Sequence, residues 1–216
     1  MIALVTFGTC TINANQAGNV IYGAAPQVSR TFRIACGAVG QSGPAGGTVF
    51  HVDMTRPPGS QCFEAAPADW QTPETKGSGD PQLQWAPIDG PCYSTDITAA
   101  QATAIGTGEA NMTAIITNAS CDSATEAPAA WAALQYAGGG QTDWFMASKD
   151  ELNQLYENRA VVPGIETDPG NEPFYWSSSQ SADDPESTWF QYFDYFFQGI
   201  STKNDFIQRI RPVRAY

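Results

Sequence analysis

One histidine, three consecutive serines, two groups of acids and a run of aromatic residues are the side chains here whose types could do chemistry. A serine nucleophile needs a base to take its proton and an acid to orient that base. Ser177, Ser178 and Ser179 follow Trp176, but the single histidine, His51, stands far upstream beside Val52. There it reads as a solvent-facing strand residue. Serine hydrolase chemistry is not expected, and any site built on two histidines is excluded. Asp183, Asp184 and Glu186, and again Glu166, Asp168 and Glu172, carry oxygens of the kind Ca²⁺ takes. Neither group has EF-hand spacing, and both read as solvated loop acids. No local signature marks a pair of carboxylates for glycoside hydrolysis. Gly106 and Gly108 in IGTGEAN lack the strand-borne context of a phosphate cradle and read as a helix-entry turn. No catalytic residue, metal or cofactor is expected.

The informative stretch lies near the end. From Trp189 to Phe197, seven of nine residues are aromatic. An alternating strand hides only half of such a run, so some of these rings should reach solvent. Exposed aromatic patches usually mark a binding surface, because Tyr and Phe give large contact area at low entropy cost. Arg209, Arg211 and Arg214 come next in what reads as one final strand, pointing the same way, to balance acids or brace the fold.

Charge and cysteines bound the rest. The chain of 216 residues has a formal net charge of −12, which argues against a phosphate-backbone partner or a basic membrane-surface helix. No apolar run approaches the roughly 20 residues that span a bilayer. Cys10, Cys36, Cys62, Cys92 and Cys121 contain no CxxC pair, so they do not read as zinc ligands. Scattered through a Gly-, Ser- and Thr-rich chain, they suit an exported, oxidised protein. The expected bridge is Cys62–Cys92, closing the Trp70/Trp85 excursion, with at least one cysteine left unpaired. Met1 opens directly in strand-like MIALVTF with no leader pattern. Either that start is artificial or export takes another route, as for a virion protein.

These residues need elements to hold them. Residues 1–35 alternate polar and apolar around N-A-N-Q-A-G-N and read as two strands. Two strands cannot bury a core alone, so they should dock on the main body or pair between chains. Residues 36–48 read as a Gly-rich linker and 48–53 as a strand. Residues 54–100, rich in Pro, Gly, Asp and Trp, read as a long irregular excursion. Helices are expected over 105–119 and 126–140, the second with Pro128 near its start. Asp143–Ala147 is strand-like. Ser148 and Glu151 then form a capping box for a short helix whose buried stripe is Leu152, Leu155 and Tyr156. Three strands, FYWSSS, STWFQYFDYFF and FIQRIRPVRAY, close an α+β chain.

Two family resemblances sharpen this reading. Cys10, Asn15, Gln16, Ala17, Gly18, Tyr22, Ala25, Pro26, Gln27, Val28 and Ser29 resemble the closing strands of the immunoglobulin-like repeats common on prokaryotic surface proteins. That makes 1–35 a partial immunoglobulin-like segment in which Cys10 lacks its upstream partner. GGTVFHVD, CFEAAPADW, TAIGTGEAN, DWFMASKDELNQLYENR, YWSSSQ, TWFQYF and RIRPVRAY occur in family order. Through them residues 46–216 resemble the Lcl C-terminal domain family, which has the C-type-lectin type of fold seen also in formylglycine-generating enzymes. The resemblance implies a ligand-binding domain over 49–216 with two helices, a small central sheet, ends close together and a ligand face on the last strands. Calcium-dependent sugar lectins of this fold carry E-P-N or Q-P-D with W-N-D. Here Asn171–Glu172–Pro173 has the letters in another order, and serine follows Trp176, so that activity is not carried over. Formylglycine generation needs paired cysteines near the C-terminus, and none follows Cys121.

One branch of the fold provides the variable proteins of diversity-generating retroelements, which randomise adenines, mostly in asparagine codons. Such codons can become Tyr, Phe, Asp, Ile, Ser, Thr, Asn or Gly, but never Gln, Lys, Glu, Met or Trp. In WFQYFDYFFQGISTKNDFIQRIRPVR, Gln191, Gln198, Lys203, Gln208 and the arginines keep the family's places. Between them stand Tyr192, Asp194, Tyr195, Phe197, Ile200, Ser201, Asn204, Asp205, Phe206 and Ile207, all reachable. Phe196 replaces the usual glycine. The resemblance implies a binding protein displayed on a cell or virion surface, not an enzyme, that recognises a protein or glycan on a target surface. These eleven residues would form its diversified site on one solvent-facing surface, with Trp176, Trp189, Phe193 and Ile210 in the core beneath. A fixed-specificity adhesin or carbohydrate-binding module of the same fold is the alternative.

Overall fold

A computed structural model of the chain describes residues 8–34, 36–68, 70, 79–205 and 208–216. β1 (Gly8–Gln16) and β2 (Ala25–Ile34) form an antiparallel ribbon with a bulge between Ala14 and Gln16. Its cross-strand polar pairs, Thr11 with Thr31 at 2.9 Å and Ser29 Oγ donating to Asn13 Oδ1 at 2.6 Å, hold it without a core. Thr11 through Thr31 is exposed from end to end. Among the described residues, neither strand pairs with any other. Among the described residues, the stretch from Thr11 to Thr31 therefore does not dock on the body as expected.

After the ribbon come β3 (Thr48–Val52), β4 (Cys62–Ala65), α1 (Gly108–Ile116), α2 (Pro128–Gln135), β5 (Phe145–Met146), α3 (Lys149–Glu157), β6 (Phe174–Gln180), β7 (Ser187–Tyr192), β8 (Phe197–Thr202), β9 (Gln208–Arg209) and β10 (Pro212–Ala215). The architecture is α+β. One sheet runs β3-β4-β10-β5 and a second runs β8-β7-β6-β9. The last strand thus returns between β4 and β5, and Cys62 and Tyr216 exchange backbone bonds of 3.1 and 2.9 Å. α1 packs on β5 and β6, α2 on α1 and β5, and α3 on β6 and β7. Trp85, Trp144, Trp176, Tyr175, Phe50, Phe63 and Phe193 fill the core among them.

The local reasons are visible in the sequence. Pro128 occupies the first turn of α2, where its missing N–H is not needed. α3 starts in the expected capping box: Ser148 Oγ accepts from Glu151 N–H, and the Glu151 carboxylate accepts from Ser148 N–H at 2.7 Å. Leu152, Leu155 and Tyr156 form its buried stripe.

Four expectations are corrected. Among the described residues the body has the three α-helices the sequence predicts and two four-stranded sheets, more than the two helices and one small sheet that the family resemblance implied. The stretch 54–100 contains β4, which is buried on both faces and so shows no alternation. Cys62 does not pair with Cys92. The bridges are Cys36–Cys62 and Cys92–Cys121, with Cα–Cα distances of 5.6 and 4.9 Å. Cys62 lies in β4, where the linker residue Cys36 reaches it, whereas Cys92 lies in a loop facing the turn after α1. Finally, the run from Ser187 to Phe197 is not one strand. It folds into a hairpin, with Phe193–Phe196 as the turn between β7 and β8.

Candidate functional site

β7 is the inner strand of this hairpin and β8 the edge of the sheet. Paired residues of an antiparallel ladder share a face. Trp189 with Ile200 and Gln191 with Gln198 therefore look one way, and Phe190 with Gly199 and Tyr192 with Phe197 the other. The first face turns to α3. There Gln198 Nε2 donates to the Lys149 carbonyl at 2.8 Å, and the Lys149 ammonium lies 4.6 Å from the centre of the Trp189 ring.

The second face carries a ridge of rings. Phe174 stands edge-on to Phe190 at 5.5 Å and lies 4.6 Å from Tyr192, which meets Tyr195 at 4.7 Å. Phe197 closes on Phe190 at 5.9 Å. Gly199 sits beneath both: a Cβ there would lie 3.0 Å from Phe190 and 3.1 Å from Phe197, so the absent side chain is what lets the two rings approach. Beside the ridge, Asp205 Oδ2 accepts from Ser201 Oγ at 3.0 Å and from Gln208 Nε2 at 3.1 Å. Gln84 Nε2 donates to the Asn204 carbonyl at 2.7 Å. At the turn, an open cavity of about 410 Å³ is lined by Arg159, Ala160, Ile165, Thr167 and Asp194.

Asp194, Tyr195, Phe196, Phe197 and Ile200 are exposed, and Ser201, Asn204 and Asp205 half-buried. Phe206 and Ile207 lie outside the described residues. Tyr192 departs from expectation: it is only 9% exposed, because Phe174 and Tyr195 cover its ring. The single surface expected for the set is also corrected. Ile200 belongs to the α3 side by its register, and Phe196 reaches Tyr156 of α3 at 6.0 Å. Trp176, Phe193 and Ile210 are buried, but Trp189 is half-exposed under the Lys149 ammonium.

The residues interleaved with this set look inward. Gln191 is fully buried, and its Nε2 donates to the carbonyls of Tyr192 and Phe197, tying the two hairpin strands. Lys203 is fully buried. Its ammonium donates to the Cys92 and Thr95 carbonyls at 3.1 Å each and lies 4.7 Å from the Trp85 ring centre. Burial pulls its pKa down to about 8, against the upward pull of Asp96, Asp184 and Glu186.

Sequence reasoning missed Asp80, the hub under β6 and β9. Buried, it accepts from Trp70 Nε1 at 2.8 Å, Tyr175 Oη at 2.6 Å and Arg211 Nε at 2.6 Å. Nothing in the irregular stretch around Asp80 singles it out; the signal was the unpaired-looking Arg211. The arginines do not point one way either, because Arg211 lies between β9 and β10. Arg209 caps the Asp80 and Asn171 carbonyls, while Arg214 in β10 bonds Asp143 and Glu64 of the other sheet.

The remaining candidates have structural partners. Ser177 Oγ donates to the Trp189 carbonyl and Ser179 Oγ to the Ala102 carbonyl. His51 stands in the other sheet, half-buried against Phe63 at 5.7 Å rather than facing solvent. Gly106 and Gly108 N–H both donate to Glu151 Oε1, so the turn holds an internal carboxylate. Burial raises the Glu151 pKa, opposed by the backbone donors of Ser148, Gly106 and Gly108. Glu166, Asp168 and Asp184 accept from backbone N–H groups of their own turns. Among the described residues, no three His, Cys, Asp or Glu side chains are grouped to hold a metal, and no helix is long and apolar enough to cross a membrane.

No curated protein matches the chain. The sequence model of the Lcl C-terminal domain matches residues 69–214, from just before the hub to the last strand. The chain therefore belongs to the Lcl C-terminal domain family.

Proposed function

We propose that this is a ligand-binding protein displayed on a cell or virion surface, built on a C-type-lectin-like fold. Its β7–β8 hairpin and the adjoining loop form a diversified site, as in the variable proteins of diversity-generating retroelements. One observation carries the reading. The residues that asparagine codons can become include the exposed ones, Asp194, Tyr195, Phe197 and Ile200, while Gln191, Lys203 and Gln208, which they cannot become, are buried, Gln191 and Lys203 bonded to backbone carbonyls and Gln208 to Asp205. A site that changes its contacts must keep its backbone by residues that do not change. Exposed substitutions move stability by about 0.5 kcal/mol or less, and aromatic residues supply most interface hot spots.

The test is genomic and biophysical together. The coding DNA should lie near an adenine-rich near-copy of its terminal segment and a reverse transcriptase gene. Tyr195→Ser with Phe197→Ser should keep the unfolding midpoint nearly unchanged. An isolated gene without such a copy would sink diversification, and a double variant that unfolds would sink the site.

One observation favours a fixed-specificity adhesin of the same fold. Tyr192, a position in the reachable set, is packed between Phe174 and Tyr195, so replacing it disturbs the ridge itself. Comparing natural copies of the gene separates the two readings: a fixed site keeps tyrosine there.

A further inference from the structure

The surface charge of the body is one-sided. Beyond the N-terminal ribbon, none of the described lysines and arginines is exposed. Arg56, Arg159 and Arg209 donate to backbone carbonyls; Arg211 and Arg214 also hold buried carboxylates. Lys149 lies over Trp189, and Lys203 is sealed inside. Several acids around the hairpin do the opposite. Asp194 is exposed in the hairpin turn, Glu172 two residues before Phe174, and Asp183 and Glu186 at the far end of β7. The exposed rings Tyr195, Phe196 and Phe197 therefore follow Asp194 in the turn, where the half-buried Arg159 lines the same cavity, and no fully exposed cation joins them among the described residues.

Taking the β7–β8 hairpin as the ligand site, on which this step rests, we infer that its partner is a protein surface presenting arginine or lysine side chains. A guanidinium or ammonium over a Tyr or Phe face is attracted by the ring quadrupole, and more strongly when desolvated. Acids around such rings add attraction and faster encounter at low salt. The same field opposes nucleic acid, anionic lipid, acidic glycan and a second copy of this chain, whose net charge is also −12. Neutral sugars gain nothing from it. A protein surface carries cations and apolar groups together, which matches a ridge of rings that Asp194 adjoins.

The probe is a random peptide library displayed on phage and selected on the full chain, with Tyr195→Ser/Phe197→Ser and Asp194→Asn/Glu172→Gln variants alongside. Selected peptides should be at least twofold enriched in Arg and Lys over the starting library. Synthetic copies should bind at least threefold more weakly at 300 mM than at 50 mM salt, and more weakly still to both variants. Neutral or acidic peptides that bind and are lost in Tyr195→Ser/Phe197→Ser would overturn the charge inference but leave the site standing. Basic peptides indifferent to that variant bind elsewhere and would overturn both. A selection that enriches nothing also overturns the inference.

Discussion

Lys203 shows what a residue does when it is interleaved with the proposed binding surface yet takes no part in it. Its ammonium holds the Cys92 and Thr95 carbonyls under the loop after β8. Burial lowers its pKa from 10.5 to about 8. The unfolded chain then binds more protons than the folded one between those values, so stability rises with pH across that window. The gain is at most about 3 kcal/mol. Tyr175, raised well above 10 by burial and then by Asp80, and Tyr216, raised by burial to about 12, act oppositely. Their unfolded phenols ionise first, so stability falls above pH 10. Urea midpoints should therefore climb from pH 8 to a maximum near 10, and Lys203→Met should abolish the climb. A wild-type midpoint that falls steadily over this range would refute the buried-lysine account. Asp80 makes a second residue-scale prediction. Its ion pair with Arg211 at 2.6 Å is fully buried on both sides. Asp80→Ala leaves that guanidinium uncompensated and should cost about 3–5 kcal/mol by chemical denaturation; a loss under 1 kcal/mol would show the hub to be dispensable.

At the scale of elements, legibility tracked local chemistry. α3 was readable because its cap, its Glu151 and its apolar stripe lie within nine residues of each other. Ser148→Ala removes an oxygen that accepts from Glu151 N–H and donates to the Ala104 carbonyl at 3.0 Å. It should lower stability by about 1 kcal/mol or somewhat more, and Ser148→Thr, which keeps the hydroxyl, should recover part of that. Equal stability of Ala and wild type would mean the cap is redundant. The β7–β8 turn was hidden because Phe193, Asp194, Tyr195 and Phe196 include no Gly or Pro, and rings on both sides mimic one continuous strand. β4 was hidden by burial on both faces. The bridges were hidden because spacing does not determine connectivity: Cys62 is 30 places from Cys92 and 26 from Cys36, and only the sheet decides between them. In the site itself, the exposed ring set was legible from composition. Its division between two faces was not, since that depends on where the hairpin turns.

At the scale of the whole molecule, the β7–β8 hairpin depends on only some parts of the chain. The ladder β8-β7-β6-β9 rests on α1, α3 and the Asp80 hub. The Cys92–Cys121 bridge closes a loop between the Lys203 carbonyl partners and the end of α1. Such a loop contributes about 3–4 kcal/mol by the chain-entropy account. The N-terminal ribbon shares none of this. Its strands pair only with each other among the described residues, and Thr11 to Thr31 is exposed. A two-stranded ribbon with no buried face is marginal alone and can lend little stability to the body. Removing residues 1–34 while keeping Cys36 for its bridge to Cys62 should therefore leave a folded body. Its thermal midpoint should stay within about 2 °C of the full chain, no more than the roughly 2–4 °C that 1 kcal/mol moves a body of about 180 residues. Peptides selected on the full chain should bind the shortened one equally well. A truncated chain that melts far lower, or that loses those peptides, would show that the ribbon braces the body and that the site is not self-sufficient.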